Sequence, residues 1–187
     1  MGIVAHGCGL TAQLASGVVL GTPGQVVTVA HAIAGATSIS VVDRVGHMYS
    51  ATVLAFDKDR DLSVLAVPGL DAPALQLGQS AIGPGATLTW NRDDGVTYKE
   101  VSVSKRLIVK IEDIYVEDTV ERRGLEFRGE IGVGNSGGAV LSSAGDVIGI
   151  IYAQSRTRGN VGFATDASEI KTLLDSMSGL PSTNGRC

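Results

Sequence analysis

Runs of β-branched and apolar residues recur along the chain, at 16–20, 25–30, 37–42, 51–56, 62–67, 86–90, 98–109, 139–141, 147–153 and 161–165. Gly, Asn, Asp and Pro punctuate them. Short runs at this spacing predict an all-β barrel or sandwich. One segment departs from the habit. Asp166-Ala167-Ser168-Glu169 is a capping-box pattern, and Ile170, Leu173, Leu174 and Met177 follow at i, i+3, i+4 and i+7. That periodicity predicts a helix over about 166–178, stopped by Gly179 and Pro181. The softest internal boundary is 77–85, rich in Gly, Ser and Pro, which divides the strands into sets at about 10–80 and 81–165. No short repeat or low-complexity tract interrupts them.

Composition narrows the class. Twenty-five glycines against five prolines suit many tight turns, while 44% hydrophobic and 18% charged residues exclude a disordered tail or a coiled coil. The 187 residues allow one large domain or two small halves sharing an interface. A net charge of −4 gives no electrostatic reason to bind nucleic acid. No apolar run approaches the ~18 residues that a bilayer span needs, and Met1-Gly2-Ile3-Val4 lacks the charged start of a secretory signal. His6 stands where an N-myristoylation motif wants Ser or Thr.

The chemistry concentrates at Gly134-Asn135-Ser136-Gly137-Gly138, which fits three motifs. A nucleophile elbow of the α/β-hydrolase kind needs a histidine downstream, yet His6, His31 and His47 all precede Ser136. As a dinucleotide fingerprint, Gly132-x-Gly134-x-x-Gly137 should open a helix, but a short apolar run and a turn follow. The third is a nucleophile loop in the chain order histidine, aspartate, serine. The subtilisin order would need an aspartate ahead of the histidine, and only the cramped pair Asp43 and His47 offers one.

His31 ends the apolar run Thr28-Val29-Ala30 and is the expected base; His6 and His47 are expected to face solvent. Asp57-x-Asp59-x-Asp61 resembles the start of a calcium loop, but Leu62 and Pro68 occupy the positions that require Gly and Glu. Asp61 instead opens the run 62–67, where a carboxylate at a strand start can orient the histidine. Asp57 and Asp59 are expected in an ordinary surface turn.

Together, Thr28-Val-Ala-His31, Asp61-Leu-Ser-Val-Leu-Ala-Val67 and Gly134-Asn-Ser136-Gly-Gly138 resemble the three signature blocks of trypsin-like serine proteases, in their bacterial HtrA-like branch. Gly7-Cys8-Gly9, Gly185-Arg186-Cys187 and Ala66-Val-Pro-Gly-Leu70 are similar to membrane-anchored periplasmic members of that branch. The resemblance implies two six-stranded antiparallel β-barrels with a C-terminal helix and the site in the cleft between them. It implies a serine endopeptidase with His31, Asp61 and Ser136 as triad and the N–H groups of Gly134 and Ser136 as oxyanion hole. Tyr152, Ala153 and Gln154 should lie along the substrate strand, and Phe163 and Ala164 near a side-chain pocket of apolar preference. Glu130, six residues before Ser136, leaves a basic preference open, with Arg128 as its alternative ion-pair partner.

The even cysteine count, the glycine-flanked terminal positions and the oxidising compartment of the family together predict a Cys8–Cys187 bridge. The acidic stretch 112–121 reads as a solvated strand face. The expected partners are peptide or protein substrates acting on a monomer, without metal or cofactor. An extracytoplasmic stress role is implied, with membrane contact only through segments outside this sequence and no PDZ-like module beyond Cys187. A weakly catalytic peptide sensor on the same fold is the rival reading.

Overall fold

The computed structural model describes the backbone of residues 1–187 and the side chains of all but Leu10 and Thr11. Seven strands form the N-terminal sheet: β1 (Gly2–Gly7), β2 (Leu10–Ser16), β3 (Val18–Val19), β4 (Gln25–Thr28), β5 (Ala36–Val42), β6 (Met48–Asp57) and β7 (Leu62–Ala66). Their spatial order is β2-β1-β5-β6-β7-β4-β3. The two outermost strands, β2 and β3, are separated in the chain by Gly17 alone, so one residue carries the chain from one edge of the sheet to the other. Counted as a single strand bent at Gly17, they restore the expected six. A Cβ at Gly17 would press on Val26 and Ile3, so the bend needs a residue without one.

The second sheet is a closed barrel of β8 (Gly83–Asn91), β9 (Gly95–Glu112), β10 (Thr119–Arg128), β11 (Ala139–Ser142), β12 (Val147–Gln154) and β13 (Val161–Asp166), in the order β10-β13-β12-β11-β8-β9. Three strands were absent from the pattern reading. β1 and β2 hold few β-branched residues, and β10 carries Glu121-Arg122-Arg123 in its first half, which masks its buried half Gly124–Phe127.

Between the sheets, residues 75–78 pair with both: Leu75 N–H donates to Val19 C=O at 2.9 Å and Gly78 N–H to Val147 C=O at 2.9 Å. The main apolar core is continuous from Ile3, Val27 and Leu65 through Ala139 and Ile150 to Ile170 and Leu173, all fully buried. A smaller cluster around Leu125, Phe127, Ile148 and Ile151 fills the C-terminal barrel. The sheets are thereby held as one body by burial, which fixes the cleft between them.

Helix α1 (Ala167–Ser176) begins where Asp166 accepts the Ser168 N–H at 2.9 Å, and a 3₁₀ turn at Met177–Gly179 ends it. Glu169 does not close the expected capping box. It is buried, and its carboxylate accepts from Arg60 Nε at 3.0 Å and from the Arg123 N–H at 3.1 Å, tying the helix to both sheets.

Candidate active site

Asp61 sits at the mouth of β7 with φ of 53°, in the left-handed region that aspartate tolerates better than most residues. The turn before it is built by Asp57, whose Oδ1 accepts the Arg60 N–H at 2.8 Å while Oδ2 pairs with the Arg60 guanidinium at 2.7 Å. Asp57 is buried, so its expected place in a surface turn is corrected: it is the internal brace of the Asp61 turn. Asp59, half exposed, does face solvent.

The Asp61 carboxylate grips His31 twice. Oδ1 accepts the His31 backbone N–H at 2.8 Å, and Oδ2 lies 2.8 Å from the ring Nδ1. The second contact places the proton on Nδ1 and leaves Nε2 as the basic nitrogen. Asp61 is 6% exposed at its side chain and His31 40% exposed, so the acid is hidden and the imidazole opens to the cleft. Burial pushes the imidazole pKa down, but the hydrogen bond and charge of Asp61 outweigh it, and the value ends above the ordinary 6.5; the Arg122 charge opposes the rise. His6 and His47 are exposed, the latter 3.3 Å from Asp43.

Ser136 is half-buried in the loop between β10 and β11. Gly134 (φ 88°) and Gly137 (φ 85°) flank it in conformations that favour glycine. The loop lies so close to the N-terminal sheet that a Cβ at Gly137 would overlap the Ser16 carbonyl and the Thr28 hydroxyl. Thr28 stands three residues before His31, so the segments carrying histidine and serine are in contact.

Part of the loop's backbone is paired within the protein. Asn135 N–H donates to Gly132 C=O (3.2 Å), Gly137 N–H to Ile151 C=O (2.7 Å) and Gly138 N–H to Asn135 C=O (3.0 Å). Among the described residues, the N–H groups of Gly134 and Ser136 have no protein partner. Two free donors either side of Asn135, beside a serine hydroxyl, form a ready site for an oxyanion. The Ser136 hydroxyl makes no hydrogen bond among the described residues.

Strand β12 pairs with β11 only as far as Ile150, and a bulge interrupts its pairing with β13 around Tyr152. Tyr152 and Ala153 are half-buried beyond the end of β11, and Gln154 is exposed, its amide donating to Gly159 C=O at 2.6 Å. Phe163 stacks on Tyr152 with ring centroids 6.4 Å apart. Ala164 has no exposed surface and packs inside the barrel, on the opposite face of β13 from Phe163 because neighbours on a strand face opposite ways. Glu130 is 85% exposed at its side chain and pairs with Lys99 at 3.4 Å, not with Arg128.

In the acidic stretch Glu112, Glu117, Asp118 and Glu121 are exposed as expected, and Asp113 is the correction. Asp113 is buried at the tip of the β9–β10 hairpin, where it accepts the N–H groups of Tyr115 (2.9 Å) and Glu117 (3.1 Å) and pairs with Lys58. The Lys58 ammonium and these backbone donors hold its carboxyl down to about 2, against desolvation. The hairpin is thus fastened to the segment that leads into Asp61.

The Cys8–Cys187 bridge is present, with Cα atoms 5.5 Å apart. It packs against Gly35, and Asn184 clasps the same loop, its amide donating to the carbonyls of Ile33 and Ala36 while its own carbonyl accepts Gly35 N–H at 2.8 Å. The C-terminal tail therefore braces the turn that follows His31.

Two barrels with a histidine–aspartate pair and a glycine-rich serine loop between them define a serine-protease scaffold. The family model for the trypsin-like peptidase domain matches residues 15–150, and the chain belongs to that family. Serine protease Rv3671c of Mycobacterium tuberculosis is 27% identical over 157 residues, covering 82% of this chain and 39% of that protein. The putative serine protease HhoB of Synechocystis is 28% identical over 170 residues, covering 87% and 39%. The chain thus spans about two fifths of the length of these curated relatives. Among solved structures, the active form of the Rv3671c protease superposes with a TM-score of 0.88 at 25% identity, over 100% of this chain and 84% of that one. An HtrA-type protease, AlgW with a tripeptide, gives 0.79 at 25% identity, over 96% and 60%.

Proposed function

We propose that the protein is a serine endopeptidase using His31, Asp61 and Ser136. The observation that carries this reading is the double grip of Asp61 on His31, which leaves Nε2 basic beside a serine loop with two unspent N–H donors. Ser136 Oγ attacks the scissile carbonyl carbon as its proton passes to His31 Nε2. The carbonyl oxygen becomes an oxyanion held by the N–H groups of Gly134 and Ser136. Collapse breaks the C–N bond, His31 returns the proton to the leaving amine, and a water molecule repeats the sequence on the acyl-enzyme with His31 again as base. Substrate contact brings serine and histidine into hydrogen-bond register, a tightening common in this chemistry.

The open edge of β12 at Tyr152–Gln154 supports an extended peptide added as a further strand, with Phe163 and Tyr152 offering an apolar wall to one side chain. The family resemblance favours an extracytoplasmic, stress-related setting and anchoring through segments outside this sequence. No helix among the described residues is long and apolar enough to cross a membrane. The test is proteolysis of an unfolded protein substrate by wild type and by Ser136→Ala: cleavage by the first alone supports the reading, and equal cleavage by both, or by neither, removes it.

A further inference from the structure

Ser16, at the end of β2, is fully buried and spends every polar group it has. Its N–H donates to Ser136 C=O at 2.7 Å, and its Oγ, with the Trp90 carbonyl as a more distant acceptor at 3.2 Å, donates to the nearer Gly134 C=O at 2.7 Å. The same Oγ accepts the Trp90 N–H at 2.8 Å, and the Ser16 carbonyl accepts the Thr28 hydroxyl at 2.7 Å. One residue of the N-terminal sheet thus holds the carbonyls of both Gly134 and Ser136, the two residues whose N–H groups form the candidate oxyanion hole.

Peptide planarity turns those bonds into orientation. The Gly134 carbonyl lies in the 134–135 plane and the Ser136 carbonyl in the 136–137 plane. The intervening 135–136 plane, which carries the Ser136 N–H, is held by Gly138 N–H donating to Asn135 C=O at 3.0 Å, and Ser16 anchors the planes on either side of it. The Gly134 N–H belongs to the 133–134 plane, which meets the held 134–135 plane at a glycine Cα with no side chain to restrict it, so the bond to the Gly134 carbonyl fixes one side of that joint. The backbone bond from Ser16 to Ser136 needs no particular side chain, whereas the bond to Gly134 needs a hydroxyl.

We infer that the Ser16 hydroxyl is a positioning residue for the reaction: it holds the nucleophile loop so that the two oxyanion donors converge. The inference rests on the peptidase reading above and adds a determinant supplied from the opposite barrel. Ser16 touches no reacting atom. Its contribution lies in the transition state, where charge reaches the carbonyl oxygen, and not in binding of the uncharged substrate.

The test compares Ser16→Ala with Ser80→Ala. Ser80 is a matched control remote from the loop, since its hydroxyl likewise donates to a carbonyl, Ile148 at 2.8 Å, and accepts an N–H, from Ala167 at 3.2 Å. Loss of an oxyanion donor costs about 10²–10³ in rate, so misdirection of a donor should cost about tenfold or more. Ser16→Ala is expected to lower kcat on a peptide substrate by that factor with KM changed less than about twofold. Affinity for a peptide boronate, which forms a tetrahedral anion on Ser136, should fall in parallel, and Ser16→Thr should restore part of kcat. Ser80→Ala should lower the melting temperature and leave kcat unchanged. If Ser16→Ala has no cooperative melt, Ser16→Cys, with a much weaker donor, replaces it in the same comparison. A Ser16→Ala or Ser16→Cys protein whose kcat matches wild type, or whose loss is equalled by Ser80→Ala, overturns the inference. A wild-type enzyme without turnover would instead refute the peptidase reading itself.

Discussion

Replacing Asp61 by Asn perturbs the site with almost no change of shape. The asparagine carbonyl can still accept the His31 backbone N–H, now made to Oδ1 at 2.8 Å, but its NH₂ then faces ring Nδ1 in place of the carboxylate oxygen at 2.8 Å. A donor facing a donor is untenable, so the imidazole takes the other tautomer, with Nδ1 accepting and the proton on Nε2. That nitrogen can no longer remove the Ser136 proton. The same exchange in a Ser-His-Asp triad lowers kcat by about 10⁴, or about 5 kcal/mol of activation free energy at 1.36 kcal/mol per tenfold. The fold should survive, because the buried side chain keeps its volume and both hydrogen bonds, one with its direction reversed, so the melting temperature should move by no more than a few degrees. Steady-state hydrolysis of a fluorogenic peptide, with thermal melts alongside, measures both. A tautomer defect persists across about pH 6 to 8, where a mere shift of the histidine pKa would be overcome by choice of pH. A folded Asp61→Asn protein retaining a tenth or more of wild-type kcat would refute the role given to Asp61.

Wild-type kcat/KM should fall on the acid side with an apparent pKa above 6.5, because Asp61 favours the protonated imidazole more than burial disfavours it; a limb centred below 6.5 would contradict that balance. The Asp113 carboxyl, held at about 2, adds stability above the ordinary carboxylate pKa of 3.8 and loses it as pH falls toward 2. Melting temperatures should therefore drop between about pH 4 and pH 2, and less so in Asp113→Asn, which has no proton to take up. Cys8→Ser opens a crosslink spanning 179 residues, worth up to about 5 kcal/mol in the chain-entropy model. A melting temperature lowered by several degrees and a reduced kcat are expected, since the tail braces the turn after His31; no change in either would make the bridge structurally idle.

The residues of the site were legible because each interrupts an apolar run with a polar group: His31 closes one, Asp61 opens another, and Ser136 stands among glycines. Their chain order then left one arrangement. Ser16 was not legible, since a serine among small residues looks like any turn serine until the fold brings residues 118 and 74 positions away onto its hydroxyl. The internal roles of Asp57 and Asp113 were hidden similarly, because local sequence cannot show that a charged side chain will find Arg60 or Lys58. Ala164 is different. Strand alternation already forbids Phe163 and Ala164 from lining one face, so the sequence carried the signal that places Ala164 in the core.

The most direct measurement is labelling by a fluorophosphonate, in which Ser136 Oγ bonds phosphorus as fluoride leaves. Mass spectrometry of the folded, oxidised protein should find one adduct, on Ser136. Heat-denatured protein and Asp61→Asn should react far more slowly, because activation of the hydroxyl depends on an oriented His31. A folded protein that takes no label, or takes it equally well after denaturation, would contradict a triad of His31, Asp61 and Ser136.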